Sequence, residues 1–150
     1  MNYFNLNFKK VILSCTLVFA TLCCLAQKPL LTYQDLQYII QNPTTAASFL
    51  QQKDYRLQSS FNGQIVFSGL IADEEYNDVF ISTKGKRTTV TLSTTSVDQV
   101  EMIQKSLQTY ASHNSKNSKI YRIKEAGISN LSIKMPADNT EKLYTIQLEN

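Results

Sequence analysis

The chain reads as an α+β domain: an antiparallel sheet with a short N-terminal helical hairpin and one longer amphipathic helix packed on one face. Three observations predict it. Two short apolar segments, around Tyr33 and Phe49, follow helical spacing and are separated by Asn42-Pro43. An alternating, β-branched region from Tyr55 to Thr94 is broken at Asn62-Gly63 and at Lys84-Gly85-Lys86-Arg87, two hairpin signals. A second helical stripe, from Val97 to Ala111, then precedes three more alternating segments. Helices with one apolar stripe and strands with one apolar face bury both by stacking in layers.

Taken in order, Thr32 with Asp35 three residues on predicts a capped helix start, and Tyr33, Leu36, Ile39 and Ile40 share its inner face. Asn42-Pro43 ends it, because proline disfavours helix in the residue before it. Thr44 or Thr45 opens a second short helix with Ala46, Phe49 and Leu50 inward. Strands follow at Tyr55 to Phe61, with Tyr55, Leu57, Ser59 and Phe61 on one face, and at Gln64 to Ile71. Asp73 to Asp78 reads as an acidic loop, and Val79 to Thr83 pairs with Thr88 to Thr94 as a second hairpin. Ser96 and Gln99 predict a capping box for the longer helix, which His113 to Ser118 ends as a polar loop. The last strands are Lys119 to Lys124, Asn130 to Met135 and Lys142 to Leu148, with Pro136 to Asn139 turning between the final two.

Tyr55-Arg56-Leu57 and Tyr121-Arg122-Ile123 stand 66 residues apart, as do Ile65-Val66-Phe67 and Leu131-Ser132-Ile133, which suggests two α-β-β-β halves. The order of elements resembles that of small envelope proteins such as the outer-membrane assembly lipoproteins and the secreted β-lactamase inhibitors. The resemblance covers element order alone, so no residue role is carried over.

The first 26 residues predict a cleaved signal peptide, leaving residues 27–150 as one α+β domain. Lys9 and Lys10 precede an apolar run from Val11 to Leu25, and Cys24 and Ala26 are small residues at its exit. The run is about 22 Å long as a helix, short of the ~30 Å hydrocarbon core, so it does not suit a membrane span. Leucine directly before Cys23, and Leu22-Cys23 before Cys24, depart from a lipid-attachment signal. All three cysteines lie in this leader, so the remaining domain has no disulfide, thiolate nucleophile or cysteine metal site. Removing Lys9 and Lys10 leaves 13 basic side chains against 12 acidic ones. A nearly neutral domain outside the cytoplasm does not suit nucleic acid, which needs a clustered positive field. The expected location is periplasmic or secreted, in a bacterial envelope.

No catalytic constellation stands out. His113 is the only histidine and sits in a soft polar stretch, without the rigid orienting partner a general base needs. Asp73, Glu75 and Asn77 alternate as oxygen ligands would, but the glycine and distal glutamate of a calcium loop are missing. Lys84 to Arg87 reads as a charged hairpin tip rather than a phosphate loop. Lys116, Lys119, Arg122 and Lys124 surround Tyr121, and seven of the eight tyrosines fall after the leader. Tyrosine supplies rigid contact area with a polar tip and is enriched at interfaces. The sequence therefore predicts a non-enzymatic binding domain, without cofactor or metal, that acts on another envelope or secreted protein as an inhibitor or immunity-like factor would. Tyr38, Tyr76, Tyr121 and Arg122 are the candidate contacts. The competing reading is a small-ligand domain or weak hydrolase with a pocket between sheet and helices.

Overall fold

The computed structural model describes residues 30–72, 74–125, 127–136 and 142–150; the leader, with its expected cleavage point, lies outside them. The described residues form helices α1 (Tyr33–Gln41), α2 (Ala46–Gln52) and α3 (Val97–Ser106). They also form strands β1 (Arg56–Phe61), β2 (Gln64–Ala72), β3 (Glu75–Lys84), β4 (Arg87–Thr94), β5 (Ser112–Ser115), β6 (Ser118–Glu125), β7 (Ile128–Lys134) and β8 (Tyr144–Glu149). All eight strands join one antiparallel sheet in the order β1-β2-β3-β4-β8-β7-β6-β5. The first four run by hairpins from one edge to the centre. After α3 the chain starts again at the far edge and returns to the centre, where β4 and β8 close the seam with Val90 opposite Leu148 and Leu92 opposite Ile146.

Local chemistry explains most boundaries. The Thr32 hydroxyl accepts from the Asp35 amide at 3.1 Å, and the Asp35 carboxylate accepts from the Thr32 amide at 2.8 Å. This reciprocal cap satisfies two orphan donors at the start of α1. Lys53, just after α2, closes on Asp35 at 3.1 Å and ties the two helices together. Asn62 and Gly63 both have positive φ, as a two-residue hairpin turn matched to strand twist requires. Gly85 does the same at the Lys84–Arg87 hairpin.

The core lies on one face of the sheet. Phe67, Val79, Ile81, Val90, Leu92, Tyr121, Leu131, Ile133, Ile146 and Leu148 project from it and meet Leu36, Ile39 and Ile40 of α1, Leu50 of α2, and Val100 and Ile103 of α3. Side chains alternate along the strands except at register shifts in β1, β2 and β6, so the residues between these point to the other face, which no described helix covers.

Several features differ from the sequence reading. The longer helix ends at Ser106, and Leu107 to Tyr110 form a turn instead of its last helical turn. Part of the expected polar loop is strand β5, so His113 sits on an edge strand opposite Ile120. Glu75 to Asp78 belong to β3 rather than to an acidic loop. In β1 a bulge between Leu57 and Ser59 breaks the alternation, leaving Leu57 and Phe61 on opposite faces and both exposed. The 66-residue offset lays β1 on β6 and β2 on β7, whereas the strand order places β5 as the counterpart of β1 and β6 as that of β2.

The expected capping box at Ser96 also does not form. The Ser96 side chain makes no cap bond, and its amide donates to the Thr94 hydroxyl at 3.0 Å. Gln99 turns inward instead. Its Oε1 accepts from the Leu31 amide at 2.8 Å, and its Nε2 donates to the Leu31 carbonyl at 2.7 Å. The same Oε1 accepts from Asn77 Nδ2 at 2.8 Å, and that amide also donates to the Tyr55 hydroxyl at 2.8 Å. Gln99 and Asn77 are fully buried. A buried polar group is tolerated when it is hydrogen-bonded, and the Gln99 amide pairs with Leu31 as a neighbouring strand would.

Candidate functional site: the uncovered face of the sheet

The register defines this face row by row. Ser59, Val66, Phe80, Thr91, Gln147, Ser132, Ile120 and His113 cross the whole sheet in one line. Beside them run Ser68, Asp78, Ser93, Thr145, Lys134 and Ser118. The centre is thus a band of serine, threonine and glutamine. The apolar side chains collect toward β2 and β3, where Leu70 is 68% exposed, Tyr76 is 37% exposed, and Val66 and Phe80 are half-buried.

The patch is held from beneath. Asn77 lies between Tyr76 and Asp78 in β3 and points the opposite way, into the Gln99–Leu31–Tyr55 network. The Tyr76 amide donates to the Thr95 hydroxyl at 3.0 Å, and its carbonyl accepts from the Thr95 amide at 3.2 Å. On the face itself, the Ser68 hydroxyl donates to Asp78. At the lower end Arg87 pairs with Glu149 at 2.9 Å. The Asn77 and Tyr76 bonds hold the backbone of β3 beneath the patch, and the Ser68–Asp78 and Arg87–Glu149 pairs order side chains on the face itself.

The four sequence candidates divide between locations. Tyr76 and Arg122 both sit on the uncovered face but far apart: four strand steps, about 19 Å, separate them across the sheet, and the register sets Arg122 in the row of Ser82, about 20 Å along β3 from Tyr76. Tyr38 is exposed on α1, on the helical side, where it meets the Thr45 hydroxyl at 3.2 Å and stacks at 4.6 Å on Phe49. Tyr121 is 2% exposed; its alternation directs the ring into the core, with the Lys119 ammonium 5.2 Å from its centroid. Leu70 and Phe80 escaped the sequence reading because an apolar residue on a strand looks like core until the covered face is known.

On the helical side a cleft of about 520 Å³ opens between α3 and strands β5 and β6, bordered by Glu101, Lys105, Tyr110 and Tyr121. Its carboxylate, Glu101, is exposed to solvent. The described residues contain no cluster of three or more His, Cys, Asp or Glu side chains placed to hold a metal ion. No described helix is long and apolar enough to cross a membrane.

Three tyrosine hydroxyls titrate above their ordinary range. Burial pushes Tyr33 up, and the nearby Tyr110 adds to it. Burial also raises Tyr55, against the opposing effect of the Asn77 hydrogen bond. Tyr110 is raised chiefly by donating to Glu125. In the unfolded chain a tyrosine loses its proton near 10.0. The folded state therefore holds more protons than the unfolded one above that pH, and stability falls as pH rises. The expected outcome is a melting temperature that declines above about pH 10, with the tyrosinate absorbance of Tyr33 and Tyr55 emerging only as the domain unfolds. Full tyrosinate absorbance in a still-folded protein would contradict the burial of these two groups.

Comparison with protein-family models, with curated proteins and with solved structures returns no match.

Proposed function

We propose that the chain is an exported, non-enzymatic interaction domain that engages another envelope or secreted protein through the uncovered face of its sheet. The observation that carries this reading is the asymmetry of the sheet. Three helices cover one face, while the other presents Leu70, Tyr76, Val66 and Phe80 beside a hydrogen-bonding band. A grouped apolar surface rimmed by polar side chains suits protein contact, whereas single exposed apolar residues need no explanation. The charged leader with its short apolar run supports export, and the near balance of charge after it supports a protein partner over nucleic acid. The exposed position of Glu101 in the helical-side cleft favours this reading over a hydrolytic pocket, which wants a buried carboxyl.

Affinity capture from envelope and secreted fractions tests it, with bait beginning at Gln27. Leu70→Lys and Tyr76→Ala are expected to lose the captured partner, each by about tenfold or more in affinity, as hot-spot truncations do. Tyr38→Ala, on the helical side, is expected to retain it. Loss of the partner in Tyr38→Ala with retention in both sheet variants would move the interface to the helices.

A further inference from the structure

On the helical side of the sheet, Lys119 stands where the strand pattern calls for an apolar side chain. Outward from the seam between β4 and β8, the paired residues run Thr91, Phe80, Val66 in one half and Gln147, Ser132, Ile120 in the other. Val66 and Ile120 thus hold equivalent places, and so do the residues before them, Ile65 and Lys119. Ile65 lies opposite buried Ile81 and packs against the core, whereas Lys119 lies opposite buried Ile133 and is charged. Its ammonium stands 5.2 Å from the centroid of the Tyr121 ring, and the side chain is half-buried. It makes no ion pair with a described carboxylate. A charge drawn partly out of water costs free energy unless an opposite charge meets it.

The space beside Lys119 is a gap in the helical layer. At one edge of the sheet α2 packs beside β1. At the other edge no described helix takes the corresponding place, and the cleft of about 520 Å³ opens over β5 and β6. Lys119 borders it from the sheet and Lys105 from α3. Lys105 also lacks a described carboxylate partner, although Glu101 precedes it by one helical turn. The cleft therefore has two unpaired cations and one carboxylate on its walls. Gln104 and Gln108 add uncharged donors and acceptors. Leu107 and Tyr121 are buried beneath, which leaves Tyr110 as the accessible ring.

The geometry points to this cleft as a binding site for a small anion that carries hydroxyl groups, a sugar acid or a sugar phosphate. Its charge meets Lys105 and Lys119, and its hydroxyls bond to Gln104, Gln108 and Glu101. The size of the cleft falls within the range of small-molecule sites. An apolar ligand is disfavoured because the walls are mainly charged and amide-bearing; a cation is disfavoured because two ammoniums face one carboxylate. The site lies on the opposite side of the sheet from Leu70 and Tyr76, so it does not depend on the protein contact proposed there.

Calorimetric titration of the purified protein with glucuronate, glucose-6-phosphate and glucose tests this. One of the two acids at least is expected to bind about tenfold or more tighter than glucose, since only the acids can make charge-assisted bonds. Which acid binds tells carboxylate from phosphate. Lys119→Met is expected to weaken that acid about tenfold or more and also to raise the melting temperature, because it puts an apolar side chain at an apolar position and removes an unpaired charge. Lys105→Gln is expected to weaken the acid by a similar factor at unchanged melting temperature. Leu70→Lys, on the other face, is expected to leave its binding unchanged. No saturable binding of either acid, glucose binding as tightly as both, or full affinity in Lys119→Met overturns the proposal. A lower melting temperature in Lys119→Met makes the lysine a structural residue and overturns its assignment to a ligand.

Discussion

Gln99→Leu is expected to destabilise the domain by about 4 kcal/mol, because it leaves buried backbone groups without partners at about 1–3 kcal/mol each. Leucine nearly fills the same space, so packing is not the main loss. The Leu31 amide and carbonyl lose the side chain that closes on both, and Asn77 loses its bond to Gln99 Oε1. For a domain of this size the melting temperature should fall by about 15 °C. The segment before α1 should also become sensitive to protease, since Leu31 is what holds it to α3 and β3. A drop of only about 2 °C would mean that water replaces the amide and the clasp contributes little.

Gly69→Ala is expected to cost about 2 kcal/mol through overpacking. A β-carbon at this position would stand 2.8 Å from Cε1 of Tyr55 and 3.0 Å from its Cδ1 and Cζ. The ring cannot easily yield, because it is buried and its hydroxyl accepts from Asn77. The same substitution in a Tyr55→Ala background should cost less than about 0.5 kcal/mol, so the two changes are coupled. Equal costs in the two backgrounds would show that something other than the tyrosine ring excludes the methyl group. Chemical denaturation of the four proteins measures this cycle.

These two residues show where the sequence was legible. Periodicity located the helices and most strands, because burial on one face imposes a period that survives in the residue order. Thr32 with Asp35, and Asn62 with Gly63, acted locally and formed as expected. Ser96 with Gln99 has the same spacing as a capping box but failed, since a partner 68 residues away in sequence offered Gln99 two backbone bonds. A long-range competitor of that kind leaves no local trace. Strand β5 was hidden for a related reason: Ser112 to Ser115 carry no apolar alternation and are held only by pairing with β6. The bulge in β1 likewise shows no residue signal, yet it moves Phe61 to the face opposite Leu57.

The candidate surface was only partly readable. Tyrosine content pointed to contact chemistry, but which face each ring takes depends on register. Tyr76 and Tyr121 are both strand tyrosines, and one is exposed while the other is core. Leu70 and Phe80 could not be separated from core residues until the helices were placed on one side.

The most direct measurement is side-chain hydroxyl-radical footprinting of the domain with and without its captured partner. The account predicts that Leu70, Tyr76 and Phe80 lose reactivity in the complex, while Tyr38 and Phe49 on the helical side react as before. Protection of the helical residues with Leu70 and Tyr76 unchanged would contradict it.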